Sequence, residues 1–393
     1  MRSVELFAGA GGLGLGVSRA GFVPAVVIER NRYCCDTIRE NKGRGLWPLT
    51  EWPLWEGDIQ DFRYDDIRVE IDLVSGGPPC QPFSLGGKHR GHTDDRDMFP
   101  EAVRAVRALR PRAFLFENVK GLTRDAFASY LEYVKLQLSY PELECREDES
   151  WLEHLRRLER HHSSVPYGGL QYKLLVEILD AADYGVPQRR DRVFFVGFRR
   201  DLGIEWSFPT ATHSHDALLW EQGQSGDYWK RHQVPHAKRL ISERLNRRSI
   251  QLRAKPDTAP WRTVRDAIHD LPDPELGLRG SLAYRNHKLQ PGARTYPGHS
   301  GSPLDEPAKT LKAGVHGVPG GENMLVRPDG RVRYFTVRES ARLQTFPDDF
   351  LFHGTWTETM RQLGNAAPVT LVELLARDIR RQLDSCGVAA AAA

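Results

Sequence analysis

Val4-Glu5-Leu6-Phe7-Ala8-Gly9-Ala10-Gly11-Gly12-Leu13-Gly14-Leu15-Gly16 runs from a short apolar stretch into a glycine-rich turn and then into helical spacing. Gly9, Gly11 and Gly14 satisfy G-x-G-x-x-G directly after a first strand, and Glu29 closes the next apolar stretch, Val23–Glu29. Glycines at such a turn admit a tight bend and close approach of a ligand, and an acid at the end of the second strand can bind ribose hydroxyls. Gly57-Asp58-Ile59 adds a further carboxylate and an apolar contact suited to the edge and face of an adenine. Taken alone, the turn suits a nicotinamide cofactor as well as the nucleoside of a methyl donor.

Outward from that turn, Ile71–Ser75, Ala113–Glu117 and Arg192–Phe198 continue the short apolar strands, with helical stretches at Leu13–Ala20, Pro100–Leu109 and Lys173–Ala182. That rhythm predicts an α/β body with a mostly parallel sheet and helices on both faces. Residues 1–199 form its main part, interrupted by a charged insertion at about 141–166 that is helical around Trp151–Arg160. Residues 200–305 lose the rhythm and read as a second, irregular domain, and residues 306–388 return to the body, with a helix over Val369–Leu383. Ala389–Ala393 reads as a tail.

A chain of 393 residues with 40% hydrophobic and 27% charged residues has globular composition and is long enough for two domains. No apolar run approaches the roughly 20 residues that span a bilayer, and the start leads straight into a strand, so neither a membrane span nor a secretory signal is expected. Cysteines at 34, 35, 80, 145 and 386 show no zinc spacing, which fits a reducing cytoplasm and no metal. The net charge is only +3, but from Tyr228 to Lys255 nine Lys or Arg stand against the single acid Glu243, with Trp229, His232 and His236 interleaved. Such a local excess is a footprint for phosphate contact, although a solvated helix face gives the same pattern.

Gly76-Gly77-Pro78-Pro79-Cys80-Gln81-Pro82-Phe83-Ser84 leaves the carboxyl end of the strand read over Val69–Ser75. Proline fixes φ and cannot donate to a ladder, so the backbone around Cys80 is stiff and out of the sheet. Open α/β sheets place their chemistry at that end of the strands, and a rigid mount suits a nucleophile.

Taken in order, VELFAGAGGLGLG (4–16), Glu29, GDI (57–59), GGPPCQPFS (76–84), ENV (117–119), QRRDRVFFVG (188–197), RESARLQTFPDDF (338–350) and QLGNAAPV (362–369) resemble the motif series of bacterial-type DNA (cytosine-5)-methyltransferases. The resemblance spreads over nearly the whole body and implies a Rossmann-like S-adenosylmethionine-dependent methyltransferase fold with an inserted target-recognition domain. It further implies transfer of a methyl group to carbon 5 of a flipped-out cytosine in duplex DNA, restriction-modification or defence linkage, and a monomer acting apart from any cognate nuclease. A tRNA cytosine methyltransferase and a DNA binder that merely keeps the fold are the competing readings. The independent basic region favours duplex DNA, and the intact reactive residues favour an enzyme.

The resemblance assigns roles residue by residue. Cys80 would add to carbon 6 of the base, since the thiolate is the reactive form. Glu117 would hold the ring nitrogen N3, Arg192 would support that acid, and Arg190 would bond the base carbonyl. Phe7, Gly9, Gly11, Gly12, Leu13, Glu29, Asp58, Ile59, Pro78, Met98 and Asn365 would surround the methyl donor. Ser84, Lys88, Arg90 and Arg96, in or beside the polar loop Leu85–Asp97, together with Arg189, Lys230, Arg231, Arg239 and Thr310, would contact DNA.

Overall fold

The computed structural model describes residues 1–79, 97–164, 168–276, 284–295, 300–313 and 323–391. At its centre is a seven-stranded sheet of β1 (Arg2–Leu6), β2 (Val23–Glu29), β3 (Leu54–Glu56), β4 (Leu73–Gly76), β5 (Ala113–Val119), β6 (Tyr172–Asp180) and β7 (Asp191–Arg199), in the order β3-β2-β1-β4-β5-β7-β6. The pairs among β1 to β5 are parallel, whereas β7 runs antiparallel to both β5 and β6. The chain therefore winds outward from β1 in two directions, and the crevice between the carboxyl ends of β1 and β4 is the switch point where such sheets bind ligands.

Alternation along β5 shows how the two layers form. Phe114 and Phe116 enter one core with α3 (Phe99–Leu109) and α4 (Ala128–Ser139), while Ala113 and Leu115 enter the other with α1 (Gly12–Arg19) and the C-terminal helix. A strand buried on both faces reads as a continuous apolar run, which is why Ala113–Phe116 is so legible. On the second face α1 lies against the helix Val369–Ala391, close enough that a Cβ at Gly16 would sit 2.7 Å from the Val372 Cβ.

Two readings of the sequence need correction. Lys173–Ala182 is not a helix: Tyr172–Asp180 is the edge strand β6, paired with β7 over nine residues. Its Leu, Val and Ile positions fit either period, and pairing outvotes the helix propensity of its Lys, Leu and Glu residues. The C-terminal helix carries on past Leu383 through Ala391, so the alanine run extends a helix and does not form a tail up to that point; alanine is the strongest helix former. Tyr228 and Trp229, interleaved with the basic run, are 0% and 2% exposed and form a small core with Leu218, Val234 and Trp261.

Residues 204–313 hold mainly short elements: β8 (His213–Ser214), α6 (His215–Trp220), α7 (Asp227–Arg231), α8 (Glu243–Gln251), β9 (Ala259–Pro260), α9 (Val264–Ile268) and β10 (Ser302–Pro303). Beyond them come β11 (Met324–Val326), β12 (Val332–Tyr334), α10 (Val337–Leu343), α11 (Trp356–Asn365) and α12 (Val369–Ala391), while α2 (Arg32–Gly43) follows β2. The insertion forms α5 (Trp151–His162), which carries a Ser150/Glu153 capping box and packs on α4 through Trp151 against Tyr133. Cys145, Glu149 and His154 bring candidate metal-ligand atoms within 4.8 Å of one another. Arg157 already forks the Glu149 carboxylate, however, and the two His154 ring nitrogens meet the Tyr133 hydroxyl and the Leu143 carbonyl. The group is a hydrogen-bonded clasp. No described helix is long and apolar enough to cross a membrane.

Glu5 lies inside the sheet at 2% exposure, facing Ser75 across the β1–β4 pair and accepting its hydroxyl. Burial pushes the carboxyl up to about 8, with the Ser75 hydrogen bond pulling the other way. A carboxyl raised on folding contributes stability below its unfolded value near 4.5 that is lost as pH climbs through about 8. Thermal unfolding from pH 5 to pH 9 should therefore show a decline in stability that Glu5→Gln flattens, by about 1–3 kcal/mol at the alkaline end. Parallel pH profiles of the two proteins would place the charge elsewhere.

Candidate active site

The parallel strands deliver their carboxyl ends to one edge of the sheet. After β1 the chain turns sharply, with Phe7 at φ 53° and Gly9 and Gly11 at φ 56° and 92°. The turn is anchored from β2: Glu29 Oε2 accepts Gly9 N at 2.7 Å and its Oε1 accepts Asn31 N at 2.6 Å. Burial pushes the Glu29 carboxyl up, and these backbone donors pull it back toward the charged form. A carboxylate has about four acceptor sites, so the Asn31, Gly9 and Arg30 amides still leave room for a ligand hydroxyl. A Cβ at Gly9 would meet nothing within 4 Å, so the turn faces open space on the ligand side. Gly12, by contrast, is closed: a Cβ there would lie 2.7 Å from the Ala367 carbonyl.

The remaining expected donor contacts lie along the same edge. Gly57 N donates to the Glu29 carbonyl at 3.0 Å, and Asp58 pairs with Arg30 at 3.0 Å. Ile59 and Met98 are 4% and 5% exposed within the same apolar core, and Leu13 is 5% exposed on the other face. Pro78 is buried, and Asn365 is exposed at the end of α11, next to the Ala366–Ala367 pair that covers Gly12. An open backbone turn, a carboxylate at the end of β2 and a second one after β3 fit the nucleoside of S-adenosylmethionine.

At the end of β5, Glu117 meets Arg192 across the antiparallel pair, with Arg192 Nε to Glu117 Oε1 at 2.7 Å and the two side chains 10–12% exposed. Burial pushes the Arg192 guanidinium down and the Glu117 carboxylate works against that. Asn118 Nδ2 donates to the Pro78 carbonyl at 2.9 Å, and Met98 N donates to the Pro79 carbonyl at 3.1 Å. A Cβ on Gly77 would sit 3.4 Å from Glu117 Oε2. The Pro78-Pro79 segment is thus fixed beside the Glu117 carboxylate. Cys80, Ser84, Lys88, Arg90 and Arg96 lie outside the described residues.

Arg190 departs from its expected place. Its side chain is 0% exposed, donating from Nη1 to the Leu311 carbonyl at 3.1 Å and from Nη2 to the Gly364 carbonyl at 2.6 Å. Among the described residues no carboxylate pairs with it, and burial together with the nearby Arg192 pushes it well below its usual value. Gln188, also fully buried, accepts Leu311 N at 2.9 Å and donates to the Leu343 carbonyl at 3.3 Å. Gln188 and Arg190 clamp the segment carrying Thr310 against the segment carrying Asn365. That role escaped the sequence reading, although the spacing of Gln188, Arg190 and Arg192 is the signal for three side chains on one side of an extended chain.

The expected DNA contacts are dispersed. Thr310 Oγ1 donates to the Arg189 carbonyl at 2.8 Å, and the Arg189 side chain is exposed over the Trp261 ring. Lys230 pairs with Asp227 at 3.0 Å, Arg231 with Glu221 at 2.8 Å, and Arg239 donates to the Val234 carbonyl at 3.2 Å. The acids that balance Lys230 and Arg231 lie just outside the basic run, which a local charge count does not see.

A family model for C-5 cytosine-specific DNA methylases matches residues 1–140 and 166–381. The Type II methyltransferase M.PspPI of Psychrobacter sp. (strain TA137) is 30% identical over 385 residues, covering 97% of this chain and 79% of that protein. The Type II methyltransferase M.NgoMIV of Neisseria gonorrhoeae is 30% identical over 388 residues, covering 97% of each. A crystal structure of a prophage-encoded candidate DNA modification methyltransferase of E. coli shares the fold, with a TM-score of 0.60 at 21% identity over 98% of this chain and 99% of that one. The insertion bearing α5 falls in the gap of the family match. With this edge of the sheet built around Glu29, Glu117 and Arg192, the chain belongs to the C-5 cytosine-specific DNA methylase family.

Proposed function

We propose that the protein methylates carbon 5 of a cytosine within a specific duplex DNA sequence, in a Type II modification system and in the cytoplasm of a prokaryote. The observation that carries this reading is the Arg192–Glu117 pair at 2.7 Å, fixed beside the Pro78-Pro79 segment that precedes Cys80. Residues 200–305 would serve as the target-recognition domain and residues 306–388 as the returning part of the catalytic body.

Carbon 6 of cytosine is hidden in the duplex stack, so the base must leave the helix to react. The Cys80 thiolate adds to carbon 6, forming a C–S bond and pushing the ring electrons toward carbon 5. Glu117 holds the N3 position and favours its protonation, which absorbs the charge of the adduct. Arg192 keeps the Glu117 carboxylate in place, and its remaining donors are the ones available to the base carbonyl; Arg190 is committed elsewhere. S-adenosylmethionine, when bound, would supply an electrophilic methyl group to carbon 5 and leave as S-adenosylhomocysteine. Phe7, Gly9, Gly11, Glu29, Asp58 and Asn365 would orient that donor. Loss of the carbon-5 proton to a base, then cleavage of the C–S bond, returns the Cys80 thiolate and releases 5-methylcytosine.

Bisulfite sequencing of DNA from cells with and without the protein tests the reading: cytosines protected in one recurring sequence are expected, and folded protein with no protected cytosine would contradict it. Cys80→Ala should abolish methyl transfer while leaving duplex binding within about 3-fold, read by tritium incorporation and by filter binding; retained transfer would remove Cys80 from the nucleophile role. Glu117→Gln should lower kcat by about 10²–10⁴-fold, as expected for loss of an acid acting on the reacting base, and near-normal turnover would argue against that role.

A further inference from the structure

A cavity of about 390 Å³ opens where the body meets the recognition region, lined by Asp183 and Arg189 from one side and His215, Asp216, Arg248 and Trp261 from the other. Asp183 follows β6 and Arg189 precedes β7, so both stand at the sheet edge that carries Glu117 and Arg192. The Arg189 carbonyl also receives the Thr310 hydroxyl.

The walls of the cavity are fixed. Trp261 Nε1 donates to Asp183 Oδ1 at 2.9 Å, His215 stacks on the Trp261 ring at 4.9 Å, and the Arg189 guanidinium covers that ring at 5.4 Å. On the recognition side, Ser249 is 0% exposed, and its carbonyl accepts Gln224 Nε2 at 2.6 Å. That anchor sets the rotation of α8 and leaves its neighbour Arg248 at the cavity rim, half exposed. Arg248 Nη2 donates to Asp216 Oδ1 at 2.6 Å, which orients one corner of a planar fork and leaves the rest of its N–H groups for a ligand.

Carboxylates outnumber guanidiniums around the opening. Arg189 and Arg248 face Asp180, Asp183 and Asp216. A bare phosphate is a poor ligand for such a mouth, because the carboxylates repel it. The major-groove edge of a G·C pair is a better one: guanine offers O6 and N7 as paired acceptors for a guanidinium, and the cytosine amino group offers a donor for a carboxylate.

We propose that Arg248, braced by Asp216, reads a guanine of the recognised DNA sequence in the major groove, and that this cavity is a base-reading site of the protein. The inference rests on the DNA methyltransferase reading above. Arg248 sets specificity; it takes no part in the methyl transfer itself.

The test starts from the sequence that bisulfite mapping of the wild type defines. Methylation rates are then compared on the cognate duplex and on duplexes changed at one base pair at a time, for wild type, Arg248→Ala and Asp216→Asn, each checked for an unchanged unfolding temperature. Discrimination at one G·C position is expected to fall by roughly 5- to 150-fold in Arg248→Ala, the other positions and the salt dependence of binding staying as they are. Asp216→Asn, which keeps the side-chain shape, is expected to relax the same position. A uniform loss on every duplex with a shallower salt slope would make Arg248 a phosphate contact and overturn the proposal, as would specificity that does not change. A wild-type protein that methylates no DNA would remove the parent reading instead, and this one with it.

Discussion

One reversed strand supports the reactive edge of the molecule. The parallel strands β1 to β5 can bring only their carboxyl ends to the crevice, so side chains entering from that sheet all arrive from the same direction. Because β7 is antiparallel to β5, its beginning lies beside the end of β5, with Val119 opposite Arg192 in register. That places Arg192 against Glu117, while Arg190, two residues earlier, turns into the protein to hold the Leu311 and Gly364 carbonyls. A single extended stretch thus orients the acid and ties together the segments carrying Thr310 and Asn365. Removing one member of such a buried pair leaves the other charge uncompensated, which is far more costly than the net value of the pair. The constraint fixes the site and stabilises the junction together.

The cofactor side depends on backbone more than on side chains. Phe7, Gly9 and Gly11 all adopt positive φ, and the Glu29 carboxylate accepts the amides of Gly9 and Asn31. The turn is therefore shaped before any ligand arrives, which lowers the ordering cost of binding. Gly12 has a different use: its missing Cβ lets the start of α1 close on Ala366 and Ala367, beside Asn365. The glycines of one motif divide between ligand access and interior packing.

Much of this was legible in the sequence, because strands buried on both faces read as plain apolar runs and glycine turns announce themselves. The helix α3 and the insertion helix α5 were also visible, as helical stretches at Pro100–Leu109 and around Trp151–Arg160. Strand β6 was not: it is a half-exposed edge strand whose apolar positions also suit a helix, and only its partner β7 decides the matter. The fate of Arg190 was equally hidden, since its partners are backbone carbonyls 121 and 174 residues away. The use of the basic run at 228–255 was hidden for the same reason, because Glu221, Asp216 and Asp266 pair with its arginines from other parts of the chain. Local patterns identify chemistry well, but the use made of each charged side chain is decided by tertiary neighbours.

The covalent route through Cys80 is best tested with duplex DNA carrying 5-fluorocytosine at the methylated position, incubated with the protein and S-adenosylmethionine and analysed by intact mass spectrometry and peptide mapping. Fluorine replaces the carbon-5 proton that must leave, so the C–S bond cannot be broken by elimination. The expected product is a one-to-one protein–DNA conjugate one methyl group heavier than the sum of its parts, joined at Cys80 and absent from Cys80→Ala. Efficient methylation of ordinary cytosine without any conjugate on the fluorinated duplex would contradict the mechanism.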